Sequence, residues 1–213
     1  SPLLAPIALI LRFTGEGEVF FFQERVGRSG KPFQLYKFAT MLKNSPFIGT
    51  GTVTLREDPR ILPVGRLLRK TKINELPQLF NILNGDMSVI GPRPQTQRCF
   101  DAFPVKAQVA INSVRPGLSG VGSIVFRNEE AIMHAHQNPS HFYDHVVMPY
   151  KGDLEVWFVG NQSFWLYLNL IILTCRFFRE KTCKFVNRMT QLFNMPPIIR
   201  ELKDKSSRNV INA

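Results

Sequence analysis

Between Lys70 and Pro94 the chain reads KTKINELPQLFNILNGDMSVIGPRP, and this stretch constrains the fold more than any other. It sets a helix start, a helix stop, a strand and a stiff bend in quick succession. Asn74 suits an N-cap and Glu75 a first helical turn. Pro77 is tolerated there, because its missing N–H has no helical partner in the first turn. Leu76, Leu79, Phe80 and Leu83 then fall on one apolar helical face. Asn84-Gly85 ends the helix. MSVI predicts a short strand, and GPRP a rigid corner that presents Arg93.

The rest of the chain supplies more elements of both kinds, which predicts an α/β fold (α+β, rich in helix). EVFFF (18–22) and FQLYKF (33–38) read as strands of a hairpin around RSGKP (28–32). Residues 42–54 read as a loop. REDPRILPVGRLLRKT reads as a turn and then a basic helix from about Gly65. Residues 103–112 predict a helix, RPGLSG (115–120) a loop, and VGSIVF a strand.

Apolar segments lie at both ends. SPLLAPIALILRF has nine uncharged residues between Pro2 and Arg12. That is fewer than the roughly 20 that span a bilayer, and the segment lacks the basic start of a signal peptide. It reads as the second half of an apolar hairpin or as a buried core helix. From Phe164, FWLYLNLIILTCRFFREKTCKFVNRMTQLF predicts a long helix, apolar first and then basic and amphipathic. Aromatics beside Lys and Arg suit a membrane interface. Packing on its own domain is the alternative. Met195-Pro196-Pro197 ends it, and SSRNVINA reads as a frayed tail.

The net charge of +11 is unevenly spread: +7 over residues 1–100, −2 over 101–172 and +6 over 173–213. Two basic ends favour an anionic partner. Cys99, Cys175 and Cys183 form no C-x-x-C, so reduced thiols are expected rather than a disulfide framework or a zinc site. Arg56, Arg60, Arg66, Arg69, Lys70 and Lys72 precede Glu75, with Arg25 and Lys37 on the hairpin. Together with Arg93 they make a candidate diphosphate pocket, since guanidinium forks match phosphate oxygens. A helix starting at Asn74 would aim its N–H groups at the same anion. The alternative for the basic run is a solvated face. Glu75 is a candidate Mg2+ ligand or a cap contributor. The four histidines lie between residues 134 and 145 without a metal-binding spacing. No P-loop, dinucleotide or hydrolase motif occurs. Nothing resembles a nucleic-acid motif, and the apolar ends argue against that partner.

EVFFFQERVGRSGKPFQLYKFATM, INELPQLFNILNGDMSVIGPRP, VRPGLSGVGS and NQSFWLYLNLIILT occur here in the order seen in bacterial sugar transferases. The chain thus resembles the monotopic polyprenyl-phosphate phosphoglycosyl transferases from Ser1 to about Phe178. The resemblance implies transfer of a sugar-1-phosphate from a UDP-sugar to polyprenyl (undecaprenyl) phosphate with release of UMP. This is the first membrane step of surface-glycan assembly. It implies Mg2+, with Glu75 as its ligand. It places the enzyme on the cytosolic face of the bacterial inner membrane, in contact with membrane lipid and with downstream glycosyltransferases. The implied organisation is the truncated descending half of a re-entrant membrane helix (1–12), a small cytosolic globular catalytic domain (13–163), an amphipathic interfacial helix (164–195) and a tail (196–213). Lys37, Arg25 and Arg69 are expected to contact phosphates. Arg93 is expected to shape or anchor the site, and Arg115 and Arg127 to meet the nucleotide or sugar end.

Three residues depart from the family pattern. Asn74 stands where the family has the Asp that attacks the β-phosphate, and an amide has no anionic form with which to do so. Ala39 replaces an Arg, and Tyr167 a common Asp. Four readings follow from Asn74. Glu75 is the nucleophile; or transfer is direct, with Glu75 and Mg2+ positioning the phosphates; or the Asn is an introduced change that traps substrate; or the protein is a non-catalytic relative. The expectation is a working enzyme that uses Glu75, because the rest of the phosphate-binding pattern is present.

Overall fold

A computed structural model describes residues 4–48, 58–126, 129 and 139–176. The chain divides into two compact units. One comprises Ser1–Glu24 and Phe33–Gly85, the other Arg25–Pro32 and Asp86–Ala213.

The first unit holds α1 (Leu4–Phe13), most of the paired strands β1 (Phe20–Val26) and β2 (Pro32–Phe38), α2 (Pro63–Lys70) and α3 (Gln78–Leu83). α1 stops where Gly15 takes a φ of 61°, a conformation that suits glycine. The apolar core here is small: Leu11, Phe38 and Leu68, flanked by residues such as Ile7, Val64 and Ile73. Buried polar links therefore carry much of the connection. Asn81 is fully buried; its Nδ2 donates to Gln34 O at 2.7 Å, and its Oδ1 accepts from Tyr36 N at 3.1 Å. The amide thus does for β2 what a neighbouring strand residue would do. Asp58 and Arg60 form a second buried link. The Arg60 guanidinium meets both carboxylate oxygens at 2.8 and 2.5 Å and donates to the carbonyls of Ser45 and Ile48, each at 2.8 Å.

Two expectations change in this unit. Asn74 caps no α-helix. It sits inside a single 3-10 turn, Ile73–Glu75, and α3 begins only after Pro77. The apolar stripe also points outward: Leu79, Phe80 and Leu83 are 46, 47 and 80% exposed, whereas Gln78 is 2% exposed. The inward face of α3 is a ladder of amides.

The second unit holds β3 (Ser88–Ile90), α4 (Gln97–Asp101), α5 (Val105–Ser113), β4 (Gly117–Ser119), α6 (Val121–Val125), α7 (Pro139–Phe142), α8 (Met148–Gly160) and α9 (Phe164–Arg176). A π-helical turn, Tyr143–Val147, joins α7 to α8. Its larger core gathers Phe100, Phe103, Val121, Val147, Leu154 and Leu170. β3 and β4 pair in parallel, Ser88 opposite Gly117 and Ile90 opposite Ser119. The approach is so close that a Cβ on Gly117 would lie 2.1 Å from Gly91 N, and one on Gly120 would lie 2.1 Å from Gly91 O. RPGLSG is therefore partly strand. VGSIV, expected as a strand, is helix α6, with Val121, Gly122 and Ile124 buried. A short apolar run surrounded by core carries no period that separates the two. Among the described residues Cys99 and Cys175 are free thiols. Cys183 lies outside them.

α8 carries two buried titratable side chains one turn apart, Lys151 and Glu155. Lys151 donates to Glu129 Oε1 at 2.5 Å, with its ammonium 5.1 Å from the Phe126 ring centroid. Glu155 is 3% exposed and takes the Gly122 N–H, but its Oε2 has no hydrogen-bond partner. Burial pushes the Glu155 carboxyl up to about 7, against the pull of Lys151 and Gly122.

The folded state thus keeps the Glu155 proton after the unfolded chain has lost it, so this group weakens folding as pH rises from 4.5 to about 7. Glu155→Gln is expected to stabilise the protein at pH 8 by about 3 kcal/mol and to have little effect at pH 4.5. Thermal unfolding at the two pH values checks this, and an equal shift at both would contradict it. Asn81→Leu strands the Tyr36 N–H and the Gln34 carbonyl. It is expected to cost about 2–4 kcal/mol, read as a lower midpoint in urea.

Candidate active site

The basic helix α2 leads directly into the turn that bears Asn74 and Glu75. α2 starts with Pro63 in its first turn, and Gly65 lets it lie on Thr40; a Cβ there would be 2.2 Å from Thr40 O. Lys72 then takes a φ of 60°, unusual for a residue other than glycine. That left-handed residue reverses the chain into the 3-10 turn, whose Glu75 N–H donates to Lys72 O at 3.0 Å. Such strained positions collect at functional sites. Asn74 is 6% exposed, and its Oδ1 has no hydrogen-bond partner; Gln78 Nε2, four residues on, is likewise buried without one. Glu75 is half-buried beside it. A native interior seldom leaves such groups unsatisfied, which makes the pair a candidate position for a polar ligand.

The other expected residues of the first unit fall into two groups. Arg69, in the last turn of α2, is half-buried, with Nη1 3.8 Å from Met41 Sδ. Lys37, on β2, follows the residue that Asn81 holds, so β2, Lys37 and α3 are fixed to one another. Arg66, Lys70 and Lys72 are exposed. Arg60, counted in the phosphate cluster, is consumed by Asp58 and is 5% exposed. The Asp-Pro-Arg spacing is the signal for it, since Asp58 Oδ1 also accepts the Arg60 N–H at 3.0 Å. Arg56 lies outside the described residues.

In the second unit the Pro-Arg-Pro corner is held from three directions. Gly117 N donates to Pro92 O at 2.8 Å, Arg25 Nη1 to Pro94 O at 3.2 Å, and Val26 N to Gln95 O at 2.9 Å. Arg25, expected on phosphate, thus has a guanidinium nitrogen on the corner. Pro92 and Pro94 are buried and Arg93 is half-buried between them. Tyr167 explains one departure: its hydroxyl accepts the Ile90 N–H at 3.3 Å, an acceptor role that an Asp could also fill. Ala39 is buried, with its N–H on Val19 O. Arg115 is exposed just before β4. Arg127, His134 and His136 lie outside the described residues. His141 and His145 stack at 4.0 Å, and no cluster of three metal-ligating side chains occurs among the described residues.

Reasoning from sequence missed Gln78 and Asn81. The signal for both was present: Asn74, Gln78 and Asn81 recur at helical spacing opposite the apolar stripe.

The model of the family described as "Bacterial sugar transferase" matches residues 1–181. The chain is 37% identical over 167 residues to "Uncharacterized sugar transferase EpsL" of Bacillus subtilis (strain 168), covering 78% of this chain and 73% of that protein. It is 34% identical over 178 residues to "UDP-N-acetylgalactosamine-undecaprenyl-phosphate N-acetylgalactosaminephosphotransferase" of Aeromonas hydrophila, covering 83% of this chain and 39% of that one. It is 32% identical over 183 residues to "Undecaprenyl-phosphate glucose phosphotransferase" of Komagataeibacter xylinus, covering 83% and 32%. The chain thus spans about a third of the length of the two relatives named for a reaction. With the glycine-paired GPRP and RPGLSG segments and the Asn74-Glu75 turn inside the matched span, this chain belongs to the bacterial sugar transferase family.

Proposed function

We propose that this chain transfers a sugar-1-phosphate from a UDP-sugar to polyprenyl phosphate, releasing UMP, on the cytosolic face of the bacterial inner membrane. The observation that carries this is the turn 73–75: a buried amide oxygen without a partner beside the half-buried carboxylate of Glu75, directly after a basic helix. The family match and the relatives named as undecaprenyl-phosphate phosphotransferases supply the substrate classes.

The transfer we infer is direct. An oxygen of the lipid phosphate bonds to the β-phosphorus, the bond from that phosphorus to the UMP oxygen breaks, and UMP leaves with the electron pair. The lipid phosphate is already anionic at neutral pH, so it needs no base. The chain's task is to hold two anions against their repulsion. Arg69 and Lys37 counter the phosphate charge in the first unit. Mg2+ fits an orphaned amide oxygen next to a carboxylate; Glu75 with Asn74 Oδ1 would hold it, and it would neutralise the diphosphate.

A second reading rests on Asn74. Without the family's acidic side chain the protein would bind polyprenyl phosphate without turning it over. UMP release from UDP-sugars separates the two readings. Release from the unmodified chain, dependent on polyprenyl phosphate and reduced more than about tenfold in Glu75→Gln, is the expected result. Silence from this chain with activity in Asn74→Asp would favour the second reading.

Membrane attachment is part of the proposal. No helix among the described residues is long and apolar enough to cross a bilayer. Three helices nonetheless expose large apolar side chains: Leu9, Ile10 and Phe13 on α1, Leu79, Phe80 and Leu83 on α3, and Phe164, Trp165 and Ile172 on α9. Such faces suit shallow insertion at the headgroup level, with α1 as part of a re-entrant segment. The double variant Phe80→Glu/Leu83→Glu is expected to float less with anionic vesicles in a density gradient. Unchanged flotation would remove α3 from the contact.

A further inference from the structure

The inward face of α8 places an amine between two carboxyl groups. Lys151 and Glu155 lie four residues apart, so their side chains share one face of the helix. Both are buried. Lys151 donates to Glu129 Oε1, while Glu129 itself, which follows α6, is half-buried. The ammonium stands over two rings, 5.1 Å from the centroid of Phe126 and 5.5 Å from that of Tyr143. Its charge also pulls on the Glu155 carboxyl. One cation thus serves two acids: it is bonded to Glu129 and acts on Glu155 through space.

The two carboxyl groups have unequal surroundings. Glu155 Oε1 takes the Gly122 N–H and lies where a Cβ on Gly122 would come within 2.5 Å of it. Oε2 has no hydrogen-bond partner, in a core that includes Val121, Ile124 and Phe158. The elements packed on α8 bring few charges. α6 presents Gly122 and Ser123. α5 meets Gly152 with Ala107, and its Lys106 is exposed. The π-helical turn brings the buried Tyr143 phenol, Asp144 on Arg98 at 3.0 Å, and the exposed His145. Burial holds the Tyr143 and Tyr150 phenols above their usual range, so both stay neutral. Asp153, on α8 itself, is exposed. Protonated, Glu155 is a neutral group in this core and leaves Lys151 to Glu129. Ionised, it puts a full charge and a bare oxygen where water does not reach. Glu129 is open to water and can lose its partner at little cost, whereas a buried carboxylate without a counter-ion is costly.

We propose that Lys151 is a proton-controlled latch, holding Glu129 while Glu155 is protonated and turning to Glu155 when that carboxyl ionises. The proton leaves to solvent, and the ammonium exchanges one carboxylate for the other. Burial sets Glu155 to ionise at about 7, so Glu129 is held below that pH and released above it. Glu155 Oε1 keeps the Gly122 N–H in both states. The start of α6, where Gly120 lies on Gly91, therefore stays in place, and the change falls on the Glu129 end. The latch does not depend on the reaction proposed above.

The test is thermal unfolding of the full chain, reading what Glu129→Gln costs at pH 5.5 and at pH 8.5, alone and together with Glu155→Gln. Alone, Glu129→Gln is expected to lower Tm by at least about 2 °C at pH 5.5, where the pair with Lys151 is made, and to leave Tm unchanged at pH 8.5, where Lys151 has turned away. Beside Glu155→Gln, Lys151 has no second carboxylate to turn to, and Glu129→Gln is expected to lower Tm at both pH values. Both substitutions keep the side-chain shape, and Glu129 is half-buried, so the variants are expected to fold. An equal cost of Glu129→Gln at the two pH values in the otherwise unmodified chain overturns the proposal. So does a cost at pH 8.5 that stays absent beside Glu155→Gln, or no cost at either pH, which would mean that the pair with Glu129 holds nothing.

Discussion

Three glycines let two stretches of backbone touch, and the second unit is arranged around that contact. Gly91, Gly117 and Gly120 meet where any side chain would collide with a neighbouring peptide group. The closeness allows Ser88 N to reach Pro116 O at 2.8 Å, Gly91 N to reach Ser119 O at 2.9 Å and Gly117 N to reach Pro92 O at 2.8 Å. GPRP and RPGLSG, far apart in the chain, become one rigid piece. Arg93 belongs to one of its two segments and Arg115 to the other. α9 docks on the same piece through Tyr167 and Thr174. Strand glycines often mark such close backbone approach.

The first unit solves a different problem. Its apolar core is small, and much of its apolar surface faces outward. Buried polar side chains do the joining: Asn81 to β2, and Asp58 with Arg60 to the loop that follows β2. Exposed apolar side chains beside buried amides and a buried ion pair depart from the usual order for a water-soluble unit. The departure fits a unit that meets lipid, because an apolar stripe on α3 then has somewhere to go.

This departure explains what the sequence could and could not convey. The hairpin, α2, α3, α5 and the apolar start of the helix expected from Phe164 were legible, because alternation, helical spacing and Gly-Pro punctuation mark them; the basic part of that helix (177–195) and the tail (196–213) lie outside the described residues. The inward face of α3 was not. An apolar stripe ordinarily signals the core, and only the second periodicity of Asn74, Gln78 and Asn81 pointed the other way. The N-cap role of Asn74 failed for a local reason: Lys72 at positive φ closes a 3-10 turn first, and Pro77 separates that turn from α3. α6 was misread because a five-residue run with Val121, Gly122 and Ile124 buried is too short to set its period. Arg60 was misassigned because charge alone does not reveal a partner two residues away. The identity of the site came from motif order rather than from physics, and within that order Asn74 is the residue that sets this chain apart.

Under the proposed direct transfer, phosphosugar passes straight to the lipid although residue 74 is an amide. The direct measurement uses a UDP-sugar labelled with 32P at the β-phosphorus, mixed with the chain, Mg2+ and polyprenyl phosphate. Direct transfer puts label in the extracted lipid and none on the denatured protein. Label retained on the protein would contradict direct transfer, and an unlabelled lipid fraction would contradict the transferase reading itself.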